Sequence, residues 1–342
     1  MVRGRLHGIA RYARELASRL PSLAPEWEFV ALTAPGGLES PPGIELLRCT
    51  AEFLSPFEQL ALRASLSKAR CDLFHATSFS VPAFWKGPLV VTLHDVNHLA
   101  LPENYGPGRR PYYRLVVGPR AKSAQAVLTV SEFSRREIAK HLELPEAKIQ
   151  VIPPGVDPRY RRSSRRELED FRHKRQLPTQ YFAVVGNTKK HKNLKLIANL
   201  ATALPAPVVL LAGAGAKEQL GFPQSAVEIP CLPEEEMPSF YSGAVALLLP
   251  SRYEGFGLPA LEAMACECPV VAARGSSLPE LIADAGILLS PDEPMGWIEA
   301  ASRLFAQPQL RRQLGELGRS RSRPFTWQRC AEQVLAVYRG AL

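Results

Sequence analysis

Two carboxylates with seven residues between them, Glu254 and Glu262, enclose Gly255-Phe256-Gly257-Leu258-Pro259-Ala260-Leu261. Upstream, the apolar run at residues 246–250 reads as a buried strand. Downstream, residues 260–266 read as a helix, with Pro259 at its first position, where a missing N–H costs least. A strand, a glycine loop and a helix N-terminus offer an anion both backbone N–H groups and the positive end of the helix dipole. A diphosphate resting there leaves Glu254 on one side, in the loop. Glu262 lies on the other side, about one turn or roughly 5 Å into the helix. A carboxylate at Glu262 can accept from the two adjacent hydroxyls of a ribose, and one at Glu254 from a sugar. On spacing alone the pair also fits solvated surface acids flanking a tight turn.

Three other loops carry residues that can do chemistry. Gly186-Asn187-Thr188-Lys189-Lys190-His191-Lys192-Asn193 follows an apolar run, and Lys190 or Lys192 can neutralise a leaving diphosphate. A solvated basic turn is its bland counterpart. His94-Asp95 also ends an apolar run, as an acid–base pair or as a hydrogen-bonded structural histidine. Ser131-Glu132-Phe133-Ser134 reads as a helix start with Ser131 as N-cap. Gly213-Ala214-Gly215-Ala216 lacks the third glycine of a dinucleotide fingerprint, because Glu218 stands in that place. It reads as a tight strand-to-helix turn. The chain has no G-x-S-x-G, H-E-x-x-H or G-x-x-x-x-G-K-[ST] pattern, so hydrolase-triad, zinc-protease and P-loop readings lack support.

These loops need a frame, and the hydrophobic pattern supplies one. Apolar runs fall at residues 29–33, 44–49, 73–76, 89–94, 126–130 and 149–152, then at 181–186, 208–213, 227–230, 246–250, 269–273 and 286–290. Amphipathic stretches of helical length separate them. Strands alternating with helices predict parallel, doubly wound sheets, and two such sets predict two Rossmann-like domains. The join falls in residues 153–176, rich in proline and charge. A last amphipathic stretch, residues 328–342, follows Pro324 and reads as a closing helix. In open α/β sheets ligands sit beyond the carboxyl ends of the strands, where all four loops lie.

A length of 342 residues suits two domains with cores of their own. No apolar run reaches the length of a membrane span, and the first residues lack the apolar centre of a signal peptide. The reading expects a cytoplasmic protein. Cys49, Cys71, Cys231, Cys266, Cys268 and Cys330 form no C-x-x-C or metal-ligand spacing and are expected as small buried hydrophobes. The net charge of +9, from 42 Lys and Arg against 33 Asp and Glu, favours anionic partners. The cluster Arg159, Arg161, Arg162, Arg165, Arg166, Arg172, Lys174 and Arg175 is broken by acids and reads as a solvated helix face. Arg109-Arg110-Pro111-Tyr112-Tyr113-Arg114 mixes arginine with aromatics, and fits a lipid headgroup surface or a cover for the core. Nucleic acid is not expected as a partner, because no recognition motif accompanies the charge.

The residues together resemble a known family. Ser251-Arg252-Tyr253-Glu254-Gly255-Phe256-Gly257-Leu258-Pro259, continuing through Glu262-Ala263-Met264-Ala265 and Cys268-Pro269-Val270-Val271, is similar to the E-x7-E region of the family 4 (group 1) glycosyltransferases of GT-B fold. Val91-Thr92-Leu93-His94-Asp95, Val130-Ser131-Glu132-Phe133-Ser134, Val151-Ile152-Pro153-Pro154-Gly155-Val156-Asp157 and Gly8-Ile9-Ala10-Arg11-Tyr12 are similar to its landmarks in the first domain. The resemblance spans nearly the whole chain. It implies an acceptor-side domain at residues 1–160, a nucleotide-sugar domain at 161–325 facing it across a cleft, and a closing helix at 326–342.

It also implies retaining transfer of a hexose such as mannose or glucose from a nucleotide-diphospho-sugar to a glycan or lipid-linked acceptor, with no required metal ion. Cell-envelope polysaccharide synthesis and a peripheral contact with an anionic membrane are further expectations. By the match, Glu254 contacts the donor sugar, Glu262 the ribose, and Lys192 the diphosphate. Backbone N–H groups of Phe256, Gly257 and Leu258 hold the sugar and diphosphate. His94 lies near the reacting sugar, and Gly8 lets its loop approach the phosphates. Front-face attack, with the leaving phosphate helping to deprotonate the acceptor, requires no protein nucleophile. Base selection is expected from the loop around residues 229–232 and the helix near Tyr241.

Two departures stand out. Asn187 occupies a place where the family often has arginine, leaving Lys189 or Lys190 as the second cation. The strand that precedes the glycine loop in the family has no counterpart in the seven residues before Gly8. The first sheet is therefore expected to lack its first strand, with the natural start upstream of Met1. Two alternatives remain: a glycosidase using Glu254 and Glu262 as paired carboxylates, and a catalytically degenerate GT-B scaffold or binding protein.

Overall fold

The computed structural model describes residues 8–33, 41–49, 57–105 and 108–342. The strand expected to be missing ahead of Gly8 concerns residues outside that set. Twelve strands occur among the described residues: β1 (Phe29–Thr33), β2 (Ile44–Arg48), β3 (Phe74–Ala76), β4 (Leu89–Thr92), β5 (Ala126–Thr129), β6 (Ile149–Val151), β7 (Phe182–Val185), β8 (Val208–Leu211), β9 (Val227–Glu228), β10 (Ala246–Leu249), β11 (Val270–Ala273) and β12 (Ile287–Leu289). Every predicted apolar run contains one. Several runs extend beyond their strand, because the chain stays buried for a residue or two after it leaves the ladder.

The chain forms two compact units: residues 1–155 with 325–342, and residues 156–324. In the second unit all six strands are parallel, in the order β12-β11-β10-β7-β8-β9. β8, β10 and β11 are buried at every residue, as expected where helices cover both faces of a parallel sheet. Phe182, Leu210 and Leu248 from the strands meet Trp297 and Leu304 of the helix Pro294–Ala306 in one core.

In the first unit β3-β4-β5-β6 form one parallel sheet, and β1 and β2 pair separately, also in parallel. The helix Gly8–Ala17 contributes Tyr12 and Leu16 to a core with Val90 of β4 and Leu128 of β5. The last helix, Trp327–Ala341, completes that core with Trp327, Val334 and Tyr338. Thr326 caps this helix, its side chain accepting from the Arg329 N–H at 3.1 Å.

Two expectations are refined. The basic cluster is answered by acids: Arg161 pairs with Glu167 at 2.8 Å, Arg165 with Glu169 at 2.7 Å, and Arg175 with Glu236 at 2.6 Å. Its helix, Arg165–Arg175, buries only Phe171. Of the cysteines, Cys49, Cys266, Cys268 and Cys330 are buried, but Cys71 is half-buried and Cys231 exposed. Cys231 lies in a loop outside the strands and helices, and the apolar pattern around it in sequence does not reveal its exposure.

Candidate active site

The chain starts the second sheet at β7, adds β8 and β9 on one side, then crosses to β10 on the other. Strand order reverses between β7 and β10, and in open α/β sheets ligands bind beyond the carboxyl ends of the strands at such a point. The loops leaving the carboxyl ends of β7 and β10 are the lysine loop and the Glu254 loop. Hydrogen bonds join them. The Arg252 N–H donates to the His191 carbonyl at 2.8 Å, Asn193 Nδ2 donates to the Pro250 carbonyl at 3.2 Å, and Lys192 Nζ donates to Glu254 Oε1 at 2.7 Å.

Lys192, half-buried, and Glu254, buried, therefore form an ion pair. Lys190 is exposed in the same turn of 3-10 helix, Lys190–Lys192. Asn187, which stands where the family often has arginine, spends its Oδ1 on the Lys189 N–H at 3.1 Å, shaping the turn. His191 is buried, and burial together with Lys192 lowers its pKa to about 4, so the ring is neutral at neutral pH. Its Nδ1 and the Oγ of Ser251 are buried without a hydrogen-bond partner among the described residues.

The Glu254 loop is held from below. The Glu254 N–H donates to Ser276 Oγ at 3.1 Å, and Ser277 Oγ donates to the Glu254 carbonyl at 3.0 Å. The following helix spans Leu258–Ala265, so Pro259 occupies its second position rather than its first. Gly257 sits just before it with φ +103°, and a Cβ there would meet Leu278 Cδ2 at 2.8 Å. Only glycine suits that backbone. A helix leaves its first N–H groups without intrahelical acceptors, and here they follow directly on the loop that binds Lys192. Phe256 is buried and Leu258 half-buried.

Glu262, one turn further, is 6 % exposed and accepts from Tyr241 Oη at 2.9 Å. Burial and the carboxylate raise the Tyr241 pKa far above its usual value, so it remains a donor. One carboxylate takes a lysine and the other a tyrosine. Tyr241, Ser276 and Ser277 are not singled out for these roles by the sequence; Ser276 and Ser277 lie just past the carboxyl end of β11, and Tyr241 lies in the helix Met237–Ser242 ahead of β10.

The first unit holds the remaining predicted residues. Gly8 is exposed at the start of its helix. Past β4, the Leu93 carbonyl accepts from Thr129 Oγ1 at 2.7 Å and the His94 carbonyl from Ser134 Oγ at 3.0 Å. Ser131 caps the next helix, Glu132–Leu142, by accepting from the Ser134 N–H at 3.0 Å. His94 Nε2 meets the Thr77 carbonyl at 3.1 Å. A carbonyl only accepts, so the proton is on Nε2 and Nδ1 keeps its lone pair. Burial lowers the His94 pKa to about 4 and outweighs the opposing bond to Thr77. Beside this ring, Asp95 Oδ1 accepts from the Asn97 N–H at 3.0 Å in a local turn.

Comparisons with known proteins identify the family and the fold. The model of the "Glycosyl transferases group 1" family matches residues 165–321, and that of "Glycosyltransferase Family 4" matches residues 6–160. An O-antigen chain mannosyltransferase B from Escherichia coli is 29% identical over 283 residues, covering 78% of this chain and 74% of that protein. A D-inositol 3-phosphate glycosyltransferase from Paenarthrobacter aurescens is 30% identical over 289 residues, covering 75% of this chain and 68% of that one. Among solved structures, a sucrose-phosphate synthase from Thermosynechococcus elongatus superposes with a TM-score of 0.82 at 21% identity, covering 98% of this chain and 93% of that one. Anabaena Alr3699/HepE, in complex with UDP-glucose, gives 0.80 at 18%, covering 99% and 98%. With the paired loops at the strand-order reversal and two parallel α/β units, the chain belongs to the group 1 glycosyltransferases of family 4 and has the GT-B fold.

Proposed function

We propose that this glycosyltransferase moves a hexose, mannose or glucose in type, from a nucleotide-diphospho-sugar to a glycan or lipid-linked acceptor with retention of anomeric configuration, in cell-envelope polysaccharide synthesis. The Lys192–Glu254 pair beside the Gly257 helix start carries the proposal. An ammonium and a helix N-terminus together suit a departing diphosphate, which develops negative charge in the transition state. Glu254 then grips the sugar, Glu262 the ribose, and the N–H groups of Phe256, Gly257 and Leu258 the sugar and diphosphate. Lys190 is the second cation. Gly8 and His94 serve the same reaction from the first unit. The leaving phosphate helps to deprotonate the acceptor, so no protein nucleophile forms a bond, and no metal ion is required. The similar mannosyltransferase and the similar fold solved with UDP-glucose support a hexose donor of this kind.

No helix of the described residues is long and apolar enough to cross a membrane. A peripheral contact on the cytoplasmic side of an anionic membrane suits the exposed Phe57, Leu60, Phe84 and Leu115, which share the first unit with Arg63, Arg110 and Arg114. Arg63 lies over the Phe84 ring, 6.0 Å from its centre.

The test measures nucleotide release from GDP-, UDP- and ADP-sugars with acceptor extracts, with and without EDTA, and the anomer of the product. Lys192→Ala and Glu254→Ala are expected to lower kcat about 10²- to 10³-fold, with EDTA without effect. Transfer left intact in both variants overturns the site. Co-sedimentation with anionic but not zwitterionic vesicles is expected; binding to neither, or equal binding to both, removes the anionic membrane contact.

A further inference from the structure

The first unit contains a buried polar chain that the proposed reaction does not use directly. Tyr338, on the closing helix Trp327–Ala341, bonds His75 Nδ1 at 2.5 Å. His75, in β3, bonds Thr92 Oγ1 through Nε2 at 2.7 Å. Thr92, the last residue of β4 and 1 % exposed, bonds Tyr12 Oη at 3.3 Å. Tyr12 is equally buried, and its ring stands edge-on to the His94 imidazole, with centroids 4.8 Å apart and planes at 88°. Three hydroxyls and one imidazole, drawn from two helices and two adjacent strands, thus end on the residue assigned to the reacting sugar.

The chemistry of the chain is neutral throughout. Burial, and then the neighbouring His94, lower the His75 pKa to about 3. Burial raises those of Tyr338 and Tyr12. A neutral imidazole has one donor and one acceptor nitrogen. It therefore serves Tyr338 and Thr92 in either polarity, with no charge placed beside His94. The Thr77 carbonyl fixes only one point of the His94 ring. Rotation about that bond would swing Nδ1, and the Tyr12 ring blocks it. The Tyr12 ring is packed in the core, and its hydroxyl bond to Thr92 adds a directional restraint to that packing.

Resting on the reading of His94 as an active-site residue, we propose that Tyr12, Thr92, His75 and Tyr338 are positioning residues, which fix the plane of the His94 ring and tie it to the closing helix. Orientation of this kind acts on the chemical step rather than on donor capture.

Thr92→Val removes the central hydroxyl at nearly constant shape, and Thr92→Ser restores it. Steady-state kinetics on the full chain is expected to show kcat lowered about tenfold or more in Thr92→Val, donor KM within about twofold of the parent, and most of the kcat recovered in Thr92→Ser. Tyr338→Phe, further along the chain, is expected to lower kcat to a smaller extent. It carries the test alone if Thr92→Val does not fold. An unchanged kcat in these variants, a loss expressed in KM, or an equal loss in Thr92→Ser overturns the proposal. His94→Ala separates the two readings. If it abolishes transfer while Thr92→Val and Tyr338→Phe do not lower kcat, only the positioning chain falls. If it leaves transfer intact, the assignment of His94 falls first and the positioning role with it.

Discussion

At Glu262 a neighbouring hydroxyl helps to set the direction of a buried carboxylate. Its carboxylate is buried, and Tyr241 holds one oxygen at 2.9 Å, which orients the other. Hydrogen bonds to charged groups contribute about 1.5–3 kcal/mol. Tyr241→Phe removes this one from a buried carboxylate. Donor KM should rise about tenfold or more in initial-rate measurements, with kcat little changed, because a ribose grip acts on the ground and transition states alike. An unchanged KM would mean that Glu262 does not need the tyrosine. The sequence makes Glu262 legible through its spacing from a glycine loop. Tyr241 is not legible in this role, since its helix is expected only to help select the base and the partners are 21 residues apart. The bond between Lys192 and Glu254 is hidden for the same reason: each loop is visible alone, but adjacency of β7 and β10 is a property of strand order, which hydrophobic runs do not encode.

At the scale of elements, burial on both faces explains why the strands could be read. Parallel strands in covered sheets are apolar without interruption, so β8, β10 and β11 stand out from their surroundings. Helix starts are less legible, as the shift of Pro259 from first to second position shows. Gly155 makes the closing helix depend on a single hydrogen. A Cβ on it would lie 2.0 Å from the Trp327 nitrogen and 2.3 Å from the Thr326 carbonyl carbon, both backbone atoms that cannot rotate away. Gly155→Ala should displace the start of that helix and destabilise the first unit by about 3 kcal/mol or more. Urea denaturation followed by tryptophan fluorescence would register the change; a midpoint equal to that of the parent would show that the contact relaxes.

For the whole molecule, three imidazoles set an acid limit. His75, His94 and His191 have pKa values lowered to about 3, 4 and 4, chiefly by burial. Between those values and the unfolded value near 6.5, the unfolded chain binds more protons than the folded one. Stability therefore falls as pH drops below about 6.5 and continues to fall until the folded rings protonate. Between pH 7 and pH 5 the loss should be about 2 kcal/mol per imidazole. Chemical denaturation at pH 7 and pH 5 checks it, and a His75→Gln variant should lose part of the difference. A midpoint independent of pH over that interval would contradict the burial of all three rings.

The first unit is also interrupted. The chain leaves it after Gly155 and returns at Phe325, bringing Trp327 and Tyr338 with it. Synthesis runs from the amino end, and domains generally fold as units. The second unit is therefore fully synthesised while the earlier one still lacks its last helix. What is made first is finished last. A premature stop within the closing helix would spare the second unit and cripple the one whose synthesis began before it.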